Sequence, residues 1–281
     1  MPLLTLLTDF GLDDYYVAAV KGTVLRLAPP VQIDQIVQIV DISHQVPPGD
    51  VETAAFLLAA AFPSFPDGTV HLAVVDPGVG SSRRILAART RGGSWLVAPD
   101  NGLLTSLLAR TESIRAVERS ELFLAGPGHT FHGRDRFAPV AAWLLRGGGG
   151  QGEELGPEIA DPVRLAIAPP RREGESLAGR VAHVDHYGNL VTDIPWDWLP
   201  ADICRACRAE VESHRTDRRV TNYAEIPPGE AAMLPGSLGT VELSLCGADL
   251  AHRWHVGRGA GVRIYLDGSP DREPGQGVTD R

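Results

Sequence analysis

One pattern recurs through the first half of the chain: a short apolar run, a polar turn carrying an acid, then a stretch of helical period. Leu3–Leu7 ends in Thr8-Asp9-Phe10-Gly11, Ile33–Val40 in Asp41-Ile42-Ser43-His44, Val70–Val75 in Asp76-Pro77-Gly78, and Trp95–Ala98 in Pro99-Asp100-Asn101-Gly102. Helical stretches fall at Tyr15–Leu27, Val51–Phe62, Leu103–Leu108 and Phe137–Leu145, with further short strands at Ile85–Ala88 and Ile114–Val117. Strands that alternate with helices predict a layered α/β domain on a largely parallel sheet. In such sheets ligands sit in the crevice beyond the carboxyl ends of the strands, which is where Asp9, Asp41, Asp76 and Asp100 fall.

The pattern changes near residue 170. Leu155–Ile167 still reads as a tail of the first domain, but Pro169-Pro170-Arg171-Arg172-Glu173-Gly174-Glu175-Ser176 has the proline and charge of a linker. Beyond it come short strands without helical period: Gly179–Val184, Leu190–Ile194, Arg208–Val211, Val241–Leu245 and Val262–Leu266. These predict a smaller all-β barrel or sandwich. The expected division is an N-terminal α/β domain over 1–170, a C-terminal β domain over 176–266, and a disordered tail over 267–281. A length of 281 residues gives each domain enough chain for its own core.

Composition narrows the partners. A formal net charge of -9 with no basic face argues against nucleic acid. Three cysteines (Cys204, Cys207, Cys246) imply no disulfide framework, so a cytoplasmic location is expected. The start, Met1–Leu7, lacks a basic region and meets Asp9 too soon for a membrane span.

Among candidate chemical groups, Asp76 comes first. Pro77, Gly78 and Gly80 stop the strand just where it emerges, and Arg83, seven residues on, can fold back to it. With His132 these residues form a set able to orient a water or a polar ligand; the alternative is a structural ion pair beside an unrelated histidine. Asp9 and Asp14 share one loop, where they can bind hydroxyls or an ammonium group, or cap the following helix. Asp9, Asp14, Asp41, His44, Asp76 and His132 include metal-ligand types, but no tight ligand spacing occurs, and no metal is expected. Cys204-x-x-Cys207 lacks a second pair and reads as two incidental thiols. There is no Gly-x-Ser-x-Gly elbow, and Gly78-Val79-Gly80 lacks the rest of a dinucleotide or phosphate-binding loop.

Taken together, Thr8-Asp9-Phe10-Gly11, Asp14, Lys21-Gly22, Asp41-Ile42-Ser43-His44, Val75-Asp76-Pro77-Gly78-Val79-Gly80, Pro99-Asp100-Asn101-Gly102, Phe131-His132-Gly133-Arg134-Asp135 and Asp185-His186-Tyr187-Gly188-Asn189 resemble the S-adenosyl-L-methionine hydroxide adenosyltransferase family. That family is related to fluorinating and chlorinating enzymes that use the same substrate. The resemblance implies an N-terminal α/β domain, a C-terminal β-barrel, and a homotrimer in which the barrel of one chain closes the active site of the next. It also implies a hydrolase without metal or organic cofactor, in which water displaces methionine from C5′ of S-adenosylmethionine to give adenosine and L-methionine.

By the same resemblance Asp76, Arg83 and His132 are the water-activating trio, which the halogenating relatives lack. Asp9 is assigned to the ribose hydroxyls, Asp14 and Asp185 to the methionine end, Asn189 to the adenine edge, Tyr223 to stacking on adenine, and Ser237 to the methionine carboxylate. A carboxylate paired with a guanidinium is a weak base taken alone. The expected division of labour is therefore Arg83 stabilising developing hydroxide, Asp76 orienting it and His132 receiving or relaying the proton. The chain departs from the family pattern at Gly49, where relatives carry a bulky aromatic, at Leu238, and at Leu245 and Cys246 in place of a polar pair. The competing expectations are a halogenase using the same substrate and a non-catalytic adenosine or S-adenosylmethionine sensor.

Overall fold

The computed structural model of the protein describes residues 2–29, 36–125, 130–147, 150, 152–202 and 206–266. The expected tail, Cys204 and the first residues of the Ile33–Val40 run lie outside the described residues. The chain forms two compact units, Met1–Ala166 and Ile167–Arg281.

The first unit runs β1 (Leu3–Thr8), α1 (Tyr16–Leu27), β2 (Gln38–Ser43), α2 (Val51–Ala61), β3 (Val70–Val74), β4 (Ile85–Thr90), β5 (Trp95–Pro99), β6 (Thr111–Ala116) and α3 (Ala138–Leu145). Its six-stranded sheet has the order β2-β1-β3-β5-β4-β6. Pairings β1–β2, β1–β3 and β3–β5 are parallel, whereas β4 runs antiparallel to both β5 and β6. Both faces are covered, which explains the near-continuous apolar strands: β3 is buried at every position. Leu4, Leu6, Leu72, Val74 and Val97 pack with Val20, Val24 and Val140 on one side. Leu7, Ala73, Leu96 and Ala98 pack with Ala54, Leu58 and Leu107 on the other. The two flanking strands β2 and β6 are only partly buried.

Helix starts are unequal. Asp50 caps α2, its carboxylate accepting the Thr53 N–H at 3.0 Å and the Thr53 hydroxyl at 2.8 Å. Asp14 does not cap α1, which begins after Tyr15 without a side-chain cap. The Leu103–Leu108 stretch is a 3-10 turn over Thr105–Arg110. Before α3 the chain makes a π-helical turn, Gly133–Phe137.

The second unit is antiparallel throughout its ladders. It contains β7 (Arg171–Glu173), β8 (Ser176–Val184), β9 (Leu190–Pro195), β10 (Arg208–Val211), β11 (His214–Thr216), β12 (Ala231–Pro235), β13 (Thr240–Leu245), α4 (Leu250–Trp254) and β14 (Gly261–Tyr265). β7 lies inside the proline-rich stretch read as linker and pairs with β8. The strand path is β11-β10-β14-β8-β9-β13-β12. β8 bends the sheet by serving two partners, β14 along Ser176–Arg180 and β9 along Val181–Val184. The two ends of the path come together through Thr216 Oγ1 donating to the Ala231 carbonyl at 2.6 Å and the Met233 N–H donating to the Arg218 carbonyl at 2.9 Å. The result is a nearly closed barrel around Leu177, Val181, Leu190, Met233, Leu243 and Ile264.

Among the described residues no helix is long and apolar enough to cross a membrane.

Candidate active site

The sheet topology explains why Asp76 and Arg83 meet. β3 and β5 are parallel, so both end at the same rim, and antiparallel β4 begins there, with Ile85 opposite Pro99. The ten residues from Val75 to Arg84 therefore leave and re-enter the sheet at one edge. Arg83 Nε donates to both oxygens of Asp76 at 2.9 Å, and Nη2 adds a further bond to Oδ2. The pair is nearly dry, with side chains 6% (Asp76) and 9% (Arg83) exposed. Nη2 also lies 2.9 Å from His132 Nδ1, and the guanidinium sits over the Phe137 ring at 5.0 Å. The chain thus brings together all three members of the predicted trio.

His132 stands at the start of the π-helical turn and is buried. A Cβ at Gly133 would stand 3.0 Å from Phe10 and 3.3 Å from Phe131, so those rings would have to give by a few tenths of an ångström. Burial, reinforced by the charges of Arg136 and Arg83, holds the His132 imidazole below its ordinary range against the pull of Asp76 and Asp135. Two polar atoms of the cluster, His132 Nε2 and Arg83 Nη1, are buried without a hydrogen-bond partner among the described residues. Such groups are costly unless a ligand or water completes them.

The neighbouring strand ends differ in what they offer. Asp9 accepts the Gly49 N–H at 2.8 Å through Oδ2. Gly49 has a φ of +74°, a conformation that suits glycine better than the aromatic expected there. Asp14 is exposed ahead of α1. Asp100, the fourth strand-end acid, is taken up structurally: it accepts Arg84 Nε at 2.7 Å and the Val163 N–H at 2.8 Å. Asn101 likewise ties β5 to β3, donating to the Val75 carbonyl at 2.8 Å. Among the described residues no group of three or more His, Cys, Asp or Glu side chains gathers to hold a metal ion.

The second unit has its own pocket, about 690 Å³, lined among others by Asp185, Tyr187, Asn189, Tyr223, Ser244 and Cys246. Asp185 builds one wall. Its Oδ1 accepts the N–H groups of Tyr187 at 2.9 Å and Asn189 at 2.8 Å, and Oδ2 accepts Asn189 Nδ2 at 2.9 Å. Ser244 donates to Asn189 Oδ1 at 2.6 Å, so the amide orientation is fixed from both ends. The turn depends on Gly188, at φ +80°, where a Cβ would fall 2.1 Å from Asp249 Oδ1.

Tyr223 and Tyr187 are 53% and 75% exposed. The Tyr223 hydroxyl turns inward and donates to Glu242 Oε1. Burial, the bond to Glu242 and the charges of Glu242 and Asp185 all push the Tyr223 phenol up. Ser237 lies exposed in the turn between β12 and β13 and does not line this pocket. Glu242 and Ser244 escaped the sequence reading. Their signal was two polar residues alternating with Val241, Leu243 and Leu245, which all face the barrel core.

The profile of the SAM hydroxide adenosyltransferase N-terminal domain matches residues 4–156, and that of the C-terminal domain matches residues 179–263. A Salinispora tropica protein named (R)-S-adenosyl-L-methionine hydrolase is 37% identical over 268 residues, covering 94% of this chain and 97% of its own. A Thermus thermophilus protein of the same name is 39% identical over 249 residues, covering 85% and 90%. A fluorinase from an Actinoplanes species is 30% identical over 221 residues, covering 69% and 72%. Among solved structures, an uncharacterized conserved protein from Thermotoga maritima superposes with a TM-score of 0.85 at 35% identity, covering 93% of this chain and 99% of its own.

Proposed function

The chain belongs to the SAM hydroxide adenosyltransferase family, and we propose that it hydrolyses S-adenosyl-L-methionine to adenosine and L-methionine. The observation that carries this reading is the buried Asp76–Arg83–His132 cluster, with its unsatisfied Nε2 and Nη1 donors. Such donors suit an oxygen nucleophile. The Asp185–Asn189 turn and the Tyr223 ring provide a polar edge and an aromatic face for a purine.

The reaction is a displacement. Water oxygen bonds to C5′, the C5′–S bond breaks with its electron pair going to sulfur, and the sulfonium becomes the neutral thioether of methionine. A sulfonium is already a good leaving group, so the enzyme's task is to hold the oxygen in line and away from bulk water. The oxygen then carries an extra proton as a protonated alcohol, which is far more acidic than a carboxylic acid. A weak base suffices to take it.

Hydrogen-bond directions support Asp76 as that base. A guanidinium only donates, so His132 Nδ1 accepts from Arg83 and neutral His132 carries its hydrogen on Nε2. In this reading His132 serves as a donor that orients the water, an alternative to the receiving or relaying role read from the sequence. The proton passes to Asp76 Oδ1, which takes one Arg83 N–H, while Oδ2 takes two. Asp9 serves the ribose hydroxyls, Asp14 and Asp185 the methionine end, Asn189 and Tyr223 the adenine, and Ser237 the methionine carboxylate. In this reading the working form is a homotrimer whose sites are completed by the neighbour's barrel, and the odd cysteine count supports a cytoplasmic location.

The test is product identity. Purified protein incubated with S-adenosyl-L-methionine in ¹⁸O-water containing chloride or fluoride is expected to yield adenosine labelled at its 5′ oxygen. A 5′-halo-5′-deoxyadenosine product would assign halogenation instead. Unchanged substrate with tight adenosine binding would assign a sensor.

A further inference from the structure

The Asp41-Ile42-Ser43-His44 motif takes no part in the chemistry above, yet the fold sets it against the loop that carries Asp9. His44 is 4% exposed and grips that loop twice. Its Nδ1 lies 2.8 Å from Thr8 Oγ1, and its carbonyl accepts the Gly11 N–H at 2.8 Å. Thr8 Oγ1 also accepts the Phe10 N–H at 3.3 Å. On the far side of the imidazole, Asp41 Oδ1 stands 3.1 Å from Nε2, off the line of a straight N–H···O bond. Asp41 Oδ2 accepts Lys21 Nζ at 2.6 Å.

These groups agree on one arrangement. With Nε2–H directed at the Asp41 carboxylate, Nδ1 is left to accept the Thr8 hydroxyl proton. Burial works against the charge on Asp41, but Lys21 and His44 outweigh it and hold the carboxyl below its ordinary range. Thr8, His44 and Asp41 have the residue types of a hydrolytic triad, but Thr8 is fully buried and cannot reach a substrate. Nor is the network needed to join the strands, because the β1–β2 ladder already runs to Leu7 and Ser43. Its bonds converge on Thr8, the last residue of β1, and on Phe10 and Gly11 just beyond it. With Gly49 binding Oδ2, the Asp9 carboxylate is held with Oδ1 unengaged by the described residues. Loop-borne binding groups need such support to hold position.

We infer that His44 is a positioning residue that sets the Asp9 carboxylate for a ribose diol, so that selectivity for ribose over 2′-deoxyribose depends on it. The inference rests on the reading of Asp9 as the ribose-binding group.

Calorimetric binding of adenosine and 2′-deoxyadenosine tests it without requiring turnover. The wild-type protein is expected to prefer adenosine by about tenfold, the value of one hydrogen bond. His44→Leu should reduce that preference to within about twofold. His44→Asn, whose amide oxygen can accept the Thr8 hydroxyl, should retain it. Thr8→Val removes the same contact with little change of shape, and serves where His44→Leu does not fold. Folded His44→Leu and Thr8→Val proteins with the wild-type preference would overturn the inference alone. Equal binding of the two nucleosides by the wild type would overturn the Asp9 reading and the inference with it. Failure to hydrolyse S-adenosyl-L-methionine would count against the proposed reaction and leave the binding comparison intact.

Discussion

Arg83 Nη2 stands 2.9 Å from His132 Nδ1, and since a guanidinium cannot accept, that distance decides which imidazole nitrogen carries hydrogen. ¹⁵N NMR of histidine-labelled protein is expected to show His132 with a pyridine-like Nδ1 and a pyrrole-like Nε2. Burial and the neighbouring arginines lower its pKa, so the ring stays neutral as pH falls through the ordinary imidazole range, and activity should persist there. His132→Ala should lower kcat by about 10²-fold, the loss seen when one positioned donor is removed. A His132 that titrates at or above the free imidazole value would contradict the assignment.

Because Asp76 and Arg83 form a nearly dry pair, stability and activity should separate when it is altered. Removing Arg83 alone strands a buried carboxylate, and Arg83→Met should cost about 3–5 kcal/mol in urea unfolding. The double variant Asp76→Leu/Arg83→Met should recover most of that stability, since replacing both charges by apolar groups avoids the desolvation penalty. It should recover no turnover. Recovery of both together would mean that the pair is structural.

Much of this site was legible because a sheet covered on both faces leaves its signature in the strands, and their ends mark where ligands bind. Asp9 and Asp76 were reachable by that rule. The same rule offered Asp100 without showing its ties to Arg84, which stands just before a strand whose antiparallel direction no hydrophobic period reveals. In the barrel, His214–Thr216 is short and polar and Ala231–Pro235 is low in β-branched residues, so neither strand stood out. They became strands through their neighbours. The role of Asp185 as the organiser of Asn189 depends on a turn held by Gly188, which composition alone marks only as a turn.

His71 predicts an acid limit on stability. It is buried in β3, its Nδ1 2.8 Å from Thr5 Oγ1, with the Phe62 ring at 4.9 Å, and burial lowers its pKa to about 4. The unfolded chain, at an ordinary pKa near ~6.5, takes up the proton first. The neutral ring's contribution is therefore present above about pH 6.5 and declines as pH falls toward about 4, by up to ~3 kcal/mol. Urea midpoints measured across that window should fall with pH, and His71→Gln should flatten the slope. An equal slope in the variant would place the acid sensitivity elsewhere.

Tyr223 and Glu242 separate the work of a ring from the work of a hydroxyl. The Glu242 carboxyl, 5% exposed, is pushed up by burial and by the charge of Asp185, and the Tyr223 hydroxyl opposes that shift. If the ring stacks on adenine, Tyr223→Ala should weaken adenosine binding by about tenfold to a hundredfold, in line with ~1–3 kcal/mol per stacked base. Tyr223→Phe keeps the ring but takes the donor from Glu242, so its loss should be only a few-fold. Glu242→Gln in the Tyr223→Phe background should cost nothing further, because the interaction it removes is already gone and a neutral amide tolerates burial better than a charge. Calorimetry on the four proteins resolves the two roles. A Tyr223→Phe variant as weak as Tyr223→Ala would shift the binding role from the ring to the hydroxyl and the carboxyl behind it.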